Sequence, residues 1–314
     1  MIKTSICDLL GIEYPIFQGG MAWIADGKLA AAVSMGGGLG IIAAGNASAD
    51  YVREQIHIVR QLTEKPFGVN VMLMSPSVNE VAAVLAEEKV PVITTGAGNP
   101  GKHMKAWLAA GCKVIPVVAS VAMAKLMTRL GAAALIAEGG ESGGHVGELT
   151  TMVLVPQVCD ATSLPVLAAG GIADGRGIAA TFMLGACGVQ VGTRFLVAKE
   201  CSVHPVYKEK ILKASDIATI TTGKRLGHPV RSLKTPFSRD YAKAEFSAIS
   251  DKELDGRAAG ALRLAAKEGD GEHGCFLAGQ VAGMIHREQP AAEIIREMFA
   301  QAEPLLKGAY QWVR

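Results

Sequence analysis

The sequence has few aromatic residues, no long hydrophobic run and no closely spaced cysteines. Aromatic residues make up 5% of the 314 residues, whereas glycine occurs 37 times. This balance is typical of proteins in which many short strands end in tight loops, and it disfavours an all-β sandwich. No stretch reaches the roughly 18 apolar residues of a membrane helix, so we predict no membrane span.

Three further absences narrow the class of protein. Residues 1–15 lack the basic start, apolar run and small-residue cleavage site of a secretory signal, so we expect a mature, cytoplasmic protein. The six cysteines form no CxxC pair and have no histidine at metal-ligand spacing, which predicts reduced thiols and no metal site. The net charge of +2 does not by itself favour a polyanionic partner.

Short apolar runs alternate with helical patterns from Tyr14 to Phe195, as expected for repeated βα units. The eight predicted strands are Pro15–Gln18, Leu39–Ala44, Phe67–Leu73, Val90–Thr95, Lys113–Ala119, Ala134–Ala137, Pro165–Ala169 and Gly188–Val191. Their almost wholly apolar character is typical of parallel strands covered on both faces. We therefore predict an α/β fold, a (β/α)8 TIM barrel with a small inserted cap after strand eight.

The chain divides into three predicted parts. Residues 1–198 form the barrel, residues 199–250 form a basic cap, and residues 251–314 contain terminal helices that complete the barrel. Within the last part we predict helices at Leu254–Lys267, Cys275–His286 and Ala291–Ala309. A doubly wound dinucleotide-binding sheet is disfavoured, because the glycine cluster Gly36–Gly40 follows a helix and precedes a strand.

Active sites of such barrels lie on the loops that follow the strands. Gly170 and Gly171 follow strand seven, and Gly192 and Thr193 follow strand eight. Backbone N–H groups at these two positions bind phosphate in barrels of this kind. The alternative is that these glycines only form tight turns.

Two polar residues interrupt or end apolar strands, and a third lies in the loop after strand six. Asn70 lies inside strand three, and an unpaired buried amide costs about 1–3 kcal/mol; either a flavin ring edge or neighbouring backbone could pair with it. Glu138, at the end of strand six, poses the same choice. His145 ends the glycine-rich loop after strand six, and its side chain can exchange protons near neutral pH, although a surface-loop histidine is the alternative.

Several of these segments together resemble the flavin-dependent enoyl-acyl-carrier-protein reductases of the FabK type. The segments are Pro15–Trp23, Phe67–Leu73, Thr94–Pro100, Ala137–Gly139, Gly143–His145, Ala168–Gly175 and Val191–Phe195. The resemblance covers nearly the whole chain. Nitronate monooxygenases, also called 2-nitropropane dioxygenases, share the barrel, the FMN and the Gly-Gly-His loop, so these motifs alone do not separate the two activities.

The resemblance implies an FMN enzyme that uses NADH or NADPH to reduce a trans-2-enoyl thioester in fatty-acid synthesis. The FMN phosphate would contact Gly170, Gly171, Gly192 and Thr193. The remaining implied cofactor contacts are Gly19, Gly20, Met21, Ala22, Asn70, Glu138, Gly143 and Gly144. His145 is the implied catalytic residue, and a homodimer is expected.

Three rival functions follow from the same residues. A nitronate monooxygenase would let the reduced flavin react with oxygen. An FMN barrel that acts on RNA typically carries a cysteine-bearing loop, but Cys112 precedes strand five, so we predict no nucleic-acid partner. A non-catalytic flavin-binding barrel would have no need of His145.

Positive charge is concentrated in the segment 199–243. It contains ten Lys or Arg and four Asp or Glu, a net charge of +6. Acyl carrier proteins are acidic, and complementary charge mainly accelerates association. We therefore predict that this segment docks an acyl carrier protein.

Overall fold

A computed structural model describes residues 2–312, and eight of the eleven strands in this part of the chain form a central ring of parallel strands. In chain order the strands are β1 (Ile16–Gln18), β2 (Gly40–Ala43), β3 (Phe67–Met72), β4 (Val92–Gly96), β5 (Lys113–Val118), β6 (Leu135–Glu138), β7 (Gly144–His145), β8 (Val166–Ala169), β9 (Gly188–Val191), β10 (Thr219–Thr222) and β11 (Val230–Leu233). The ring has the order β1-β9-β8-β6-β5-β4-β3-β2. It closes where Leu39 bridges to Phe17 beside β2. The predicted TIM barrel is confirmed.

The helices lie partly in the layer that covers the outer face of this ring and partly in the segment after β9. They are α1 (Ser5–Leu10), α2 (Gly27–Met35), α3 (Ala49–Leu62), α4 (Val78–Glu87), α5 (Gly101–Ala109), α6 (Val121–Arg129), α7 (Thr151–Ala161), α8 (Gly175–Met183), α9 (Thr193–Leu196), α10 (Pro205–Leu212), α11 (Pro236–Ala244), α12 (Asp251–Ala258), α13 (Ala261–Arg263) and α14 (Ala291–Lys307). Helix α14 packs against α8 and α2, with Ile294, Met298 and Phe299 buried. It thereby fills the gap in the outer layer between the last and first βα units.

The segment after β9 forms a small cap with its own apolar cluster. Strands β10 and β11 pair as an antiparallel ribbon, and Tyr241, Ala244 and Leu254 pack together behind it. The ribbon extends to the barrel because β11 also pairs with β7. The division of the chain at residues 198 and 250 stays a prediction.

Of the predicted terminal helices, Leu254–Lys267 is helical but interrupted, and Cys275–His286 is wrong. The segment Leu254–Lys267 breaks where Gly260 adopts φ +76°. The segment Cys275–His286 begins extended, because the Leu233 N–H donates to the Phe276 carbonyl at 2.8 Å and pairs this segment with β11. Only Gln280–Met284 forms a 3-10 turn. The apolar periodicity that suggested a helix instead reflects burial of Phe276, Ala278 and Ala282.

Within residues 2–312, no helix is long and apolar enough to cross a membrane. No group of three or more metal-ligating side chains lies together in the same part of the chain. The six cysteines are unpaired thiols. The cytoplasmic location stays a prediction.

Candidate active site

One cavity opens at the carboxyl ends of the barrel strands, and it brings all thirteen predicted site residues together. Its volume is about 430 Å³, which is the size of a typical cofactor or small-ligand site. The predicted residues that line it are Gly19, Gly20, Met21, Ala22, Asn70, Glu138, Gly143, Gly144, His145, Gly170, Gly171, Gly192 and Thr193. They come from loops after β1, β6, β8 and β9 and from the end of β3, as strand-end positions in a parallel barrel require.

The glycines after β8 and β9 form one wall of the cavity. Gly170 and Gly171 have φ values of +86° and +74°, a backbone conformation that glycine adopts without the strain of a Cβ atom. A Cβ atom on Gly192 would project into open space, with the Met21 Sδ at 3.8 Å as its nearest neighbour. The Thr193 hydroxyl accepts a hydrogen bond from the Gly279 N–H at 2.9 Å, which ties this wall to the C-terminal segment.

Asn70 occupies the cavity floor and is partly paired within the protein. Its Nδ2 donates to the Thr94 Oγ1 at 3.0 Å. Gly20 packs so closely on it that a Cβ atom there would lie 2.3 Å from the Asn70 Cβ. A neighbouring side chain, rather than the expected backbone, therefore satisfies one group of Asn70, and the residue also lines the cavity. Its contact with a flavin ring stays a prediction.

Glu138 brings a carboxyl group into the same cavity without a cationic partner. Burial raises the pKa of Glu138 from 4.5 to about 7, and the nearby Ser142 hydroxyl offsets this slightly. Among residues 2–312, no Lys or Arg lines the cavity. Glu138 is therefore about half protonated near neutral pH.

This shift makes protein stability depend on pH. The folded protein binds more protons than the unfolded chain between the ordinary pKa of 4.5 and the folded value of about 7. The free energy of unfolding therefore falls as pH rises through this range. Glutamine does not titrate, so this loss is absent in Glu138→Gln. The free energy of unfolding of the variant should therefore rise relative to that of the parent by up to about 3 kcal/mol as the pH increases from below 4.5 to above 7.

Urea unfolding of the cofactor-free protein between pH 4.5 and 8 measures this effect. Glu148→Gln, at an exposed position, is the matched control and should follow the parent. A stability difference between Glu138→Gln and the parent that does not change with pH would show that folding does not raise the pKa of Glu138.

His145 stands at the mouth of the cavity, on strand β7. It pairs with Val230 of β11, and the Val146 N–H donates to the Pro229 carbonyl at 3.0 Å. The residue is exposed on one side. Desolvation of the ring and the charge of the nearby His228 lower its pKa. His228 was not singled out from the sequence, and no local pattern in the sequence marks it as a neighbour of His145.

Gln190 is a cavity residue that the sequence reasoning overlooked. It lies within β9, is 6% exposed, and its Oε1 has no hydrogen-bond partner among residues 2–312. The interruption of an apolar strand by an amide, which singled out Asn70, is present here too.

Glu141 was also not singled out. Its carboxylate accepts from the Thr151 N–H at 2.9 Å and from the Thr151 Oγ1 at 3.0 Å. Both hydrogen bonds come from Thr151, the first residue of α7, and they stabilise the negative charge of Glu141 beside the glycines that follow β8.

The chain is similar to known proteins over most of its length. The family model for nitronate monooxygenase matches residues 3–88 and 79–301. The chain belongs to the nitronate monooxygenase family. Members of this family are oxidoreductases, and the sequence resemblance to the FabK type within it is confirmed: the solved structure of FabK from Thermotoga maritima is 50% identical, with a TM-score of 0.97 over 100% of both chains.

Other relatives in the nitronate monooxygenase family differ in their names. A (3aS,4S,5R,7aS)-5-hydroxy-7a-methyl-1-oxo-octahydro-1H-indene-4-carboxyl-CoA dehydrogenase of Mycobacterium tuberculosis is 37% identical over 74% of this chain and 67% of its own length. A probable nitronate monooxygenase of Staphylococcus aureus is 31% identical over 97% of this chain and 99% of its own. Family membership therefore leaves the substrate open.

Proposed function

We propose that this protein is an FMN-dependent enoyl-acyl-carrier-protein reductase that uses NADH or NADPH in type II fatty-acid synthesis. The observation that carries the proposal is the full-length similarity to FabK at 50% identity. The name of the Mycobacterium tuberculosis relative, a carboxyl-CoA dehydrogenase, supports an acyl thioester as the substrate class. The cavity, open at the strand ends, supports a bound cofactor.

The cavity residues fit FMN on two observations. The unpaired Gln190 Oε1 is an acceptor available for an N–H donor of a ligand, and a buried acceptor without a partner is unfavourable. The space above Gly192 leaves room for a phosphate beside the backbone N–H groups. Since no Lys or Arg lines the cavity within residues 2–312, backbone groups rather than side-chain cations bind that phosphate.

The residue roles follow from these positions. Gly170, Gly171, Gly192 and Thr193 bind the phosphate. The ring side of the cavity is formed by Gly19, Gly20, Met21, Ala22, Asn70, Glu138, Gly143 and Gly144. FMN, when bound, supplies hydride transfer between the nicotinamide nucleotide and the β-carbon of the substrate. His145 donates the proton to the α-carbon or orients the thioester.

Steady-state NADH and NADPH consumption tests the proposal. A trans-2-enoyl thioester should accelerate consumption, whereas propyl-2-nitronate should not. The second candidate is nitronate monooxygenase, which the family model and the Staphylococcus aureus relative favour. Oxygen-dependent turnover of the nitronate, without any reduction of the enoyl thioester, would establish that second activity and refute the first.

We further propose that the cap docks the acyl carrier protein, although two of its arginines are engaged elsewhere. Arg225 donates to the Ile249 carbonyl at 2.7 Å and pairs with Asp251 at 2.9 Å. Arg231 donates to the Gly140 carbonyl at 2.9 Å. The side chains of Lys224, Lys234 and Arg239 are on exposed residues and make no hydrogen bond or ion pair with the described part of the chain, so they are among the cations available to an acidic partner.

The triple change Lys224→Glu, Lys234→Glu and Arg239→Glu tests this docking surface. We expect a higher KM for carrier-linked enoyl substrate and a weaker dependence of that KM on salt, because the charge that steers the carrier has been reversed. Turnover of a short enoyl-CoA should stay close to that of the parent. Equal losses on both substrates would contradict docking at these residues.

The homodimer stays a prediction.

A further inference from the structure

The loop that carries His145 is fixed to the barrel at its start and to the cap at its end. Its start is fixed to the barrel, where the Gly139 N–H donates to the Ala169 carbonyl at 2.9 Å. Its end, at Gly144 and His145, forms strand β7 against β11. Between these points the loop contributes no residue to the barrel sheet, so its shape depends on contacts with the start of α7, with the cap and with the segment after Ala278.

Arg231 is the residue that joins the two ends. Its backbone pairs with Gly144 in the β11–β7 ladder. Its side chain reaches the other end of the loop, where Nη2 and Nε donate to the Gly140 carbonyl at 2.9 and 3.3 Å. A further donor, Nη1, lies 3.3 Å from the Thr219 Oγ1 on β10. The backbone of Arg231 thus holds Gly144, and its guanidinium group holds Gly140 and Thr219. One residue therefore links both ends of the loop to the ribbon of β10 and β11.

The surroundings favour this arrangement over a solvated surface arginine. Arg231 is half-buried, and burial lowers its pKa while the charge of Glu141 raises it. Glu141 itself anchors the middle of the loop, since its carbonyl accepts from the Gln280 N–H at 2.9 Å. A planar group with several donors can serve Gly140 and Thr219 together, whereas a lysine ammonium cannot match that fork.

We propose that Arg231 is a positioning residue that holds the His145 loop at the mouth of the cavity, so that the cap forms part of the active site. This inference rests on the proposed role of His145 in the reduction. It extends that role by assigning the geometry of the catalytic loop to a residue in the inserted segment, 91 residues after Gly140 in the chain.

Two variants of Arg231 and one control test the proposal. Arg231→Gln removes the charge and the fork, whereas Arg231→Lys keeps the charge and loses the fork. Arg225→Gln, which removes another cap arginine that contacts residues 245–251, is the matched control. We expect kcat on a short enoyl thioester to fall roughly 10- to 100-fold in both Arg231 variants with little change in KM, because a small misplacement of a catalytic group has effects of this order.

A second readout does not depend on turnover. The pKa of His145 is measured by NMR of labelled histidine, with its signal assigned through His145→Ala. It should rise toward the ordinary value in Arg231→Gln and Arg231→Lys, because a released loop gives the imidazole more water. The rise in Arg231→Lys separates geometry from loss of charge, and Arg225→Gln should leave the pKa unchanged.

The outcomes separate this inference from the proposed function. Arg231 variants with the parent's His145 pKa and kcat would overturn the positioning role. If the parent reduces no enoyl thioester, the proposed function fails, but the NMR titration still decides whether Arg231 holds the loop. If Arg231→Gln does not fold, Arg231→Lys carries the same test.

Discussion

Replacing His145 with alanine is expected to lower the rate of enoyl-thioester reduction by about 10²- to 10⁴-fold, the contribution typical of one positioned proton-transfer group. FMN content should stay at the parent level, because His145 lies at the cavity mouth and is exposed on one side. Desolvation and the nearby His228 lower its pKa, so the imidazolium form is populated at a lower pH than in an ordinary histidine.

Stopped-flow separation of the two half-reactions shows where the loss falls. A slower reoxidation by enoyl thioester would indicate that His145 donates the proton or orients the substrate. A slower reduction by NADH or NADPH would indicate that His145 acts in the half-reaction with the nucleotide. His286→Ala, at an exposed histidine outside the cavity, is the control and should behave like the parent. Parent rates in both half-reactions of His145→Ala would remove this residue from the mechanism.

The second large effect is expected from Gly192→Val, which should abolish FMN binding. The position has an ordinary φ of −107°, and a Cβ atom there meets no atom closer than the Met21 Sδ at 3.8 Å. The protein can therefore fold with valine at position 192, but the branched side chain would occupy the space proposed for the phosphate. Gly171→Val should also lose FMN, yet φ +74° at Gly171 adds backbone strain, so Gly192 gives the clearer result.

Flavin content per folded chain, from absorbance after gel filtration, measures this loss. Gly256→Val is the matched control, because a Cβ atom at Gly256 meets nothing within 4 Å and this residue does not line the cavity. Stoichiometric FMN in a well-folded Gly192→Val protein would contradict the phosphate site.

The barrel could be predicted from sequence because its strands depend on local patterns. Each buried parallel strand is a short apolar run, and the rule that ligands bind after such runs identified residues as far apart as Gly19 and Thr193, which line one cavity. Gln190 followed the same rule as Asn70, but its single amide within β9 was overlooked. The rule gave positions only, and the chemical role of each residue stays a prediction.

Non-local contacts account for what the sequence did not predict. The pairing of β11 with β7 joins residues that are far apart in the chain, and no local pattern marks Arg231 as a partner of Gly140 rather than of a docked protein. The segment Cys275–His286 has the apolar periodicity of a helix, yet β11 draws its first residues into an extended conformation. Such outcomes depend on tertiary hydrogen bonds, which override local preference.

Anaerobic titration of the purified protein tests the central claim most directly. The protein is expected to be yellow from bound FMN, and NADH or NADPH should bleach its visible absorbance without oxygen. Addition of trans-2-enoyl-acyl carrier protein should then restore the oxidised spectrum, with one acyl product formed for each flavin reoxidised. A protein that stays bleached with the enoyl substrate, and regains its colour only when oxygen is admitted, would contradict an enoyl-reductase function.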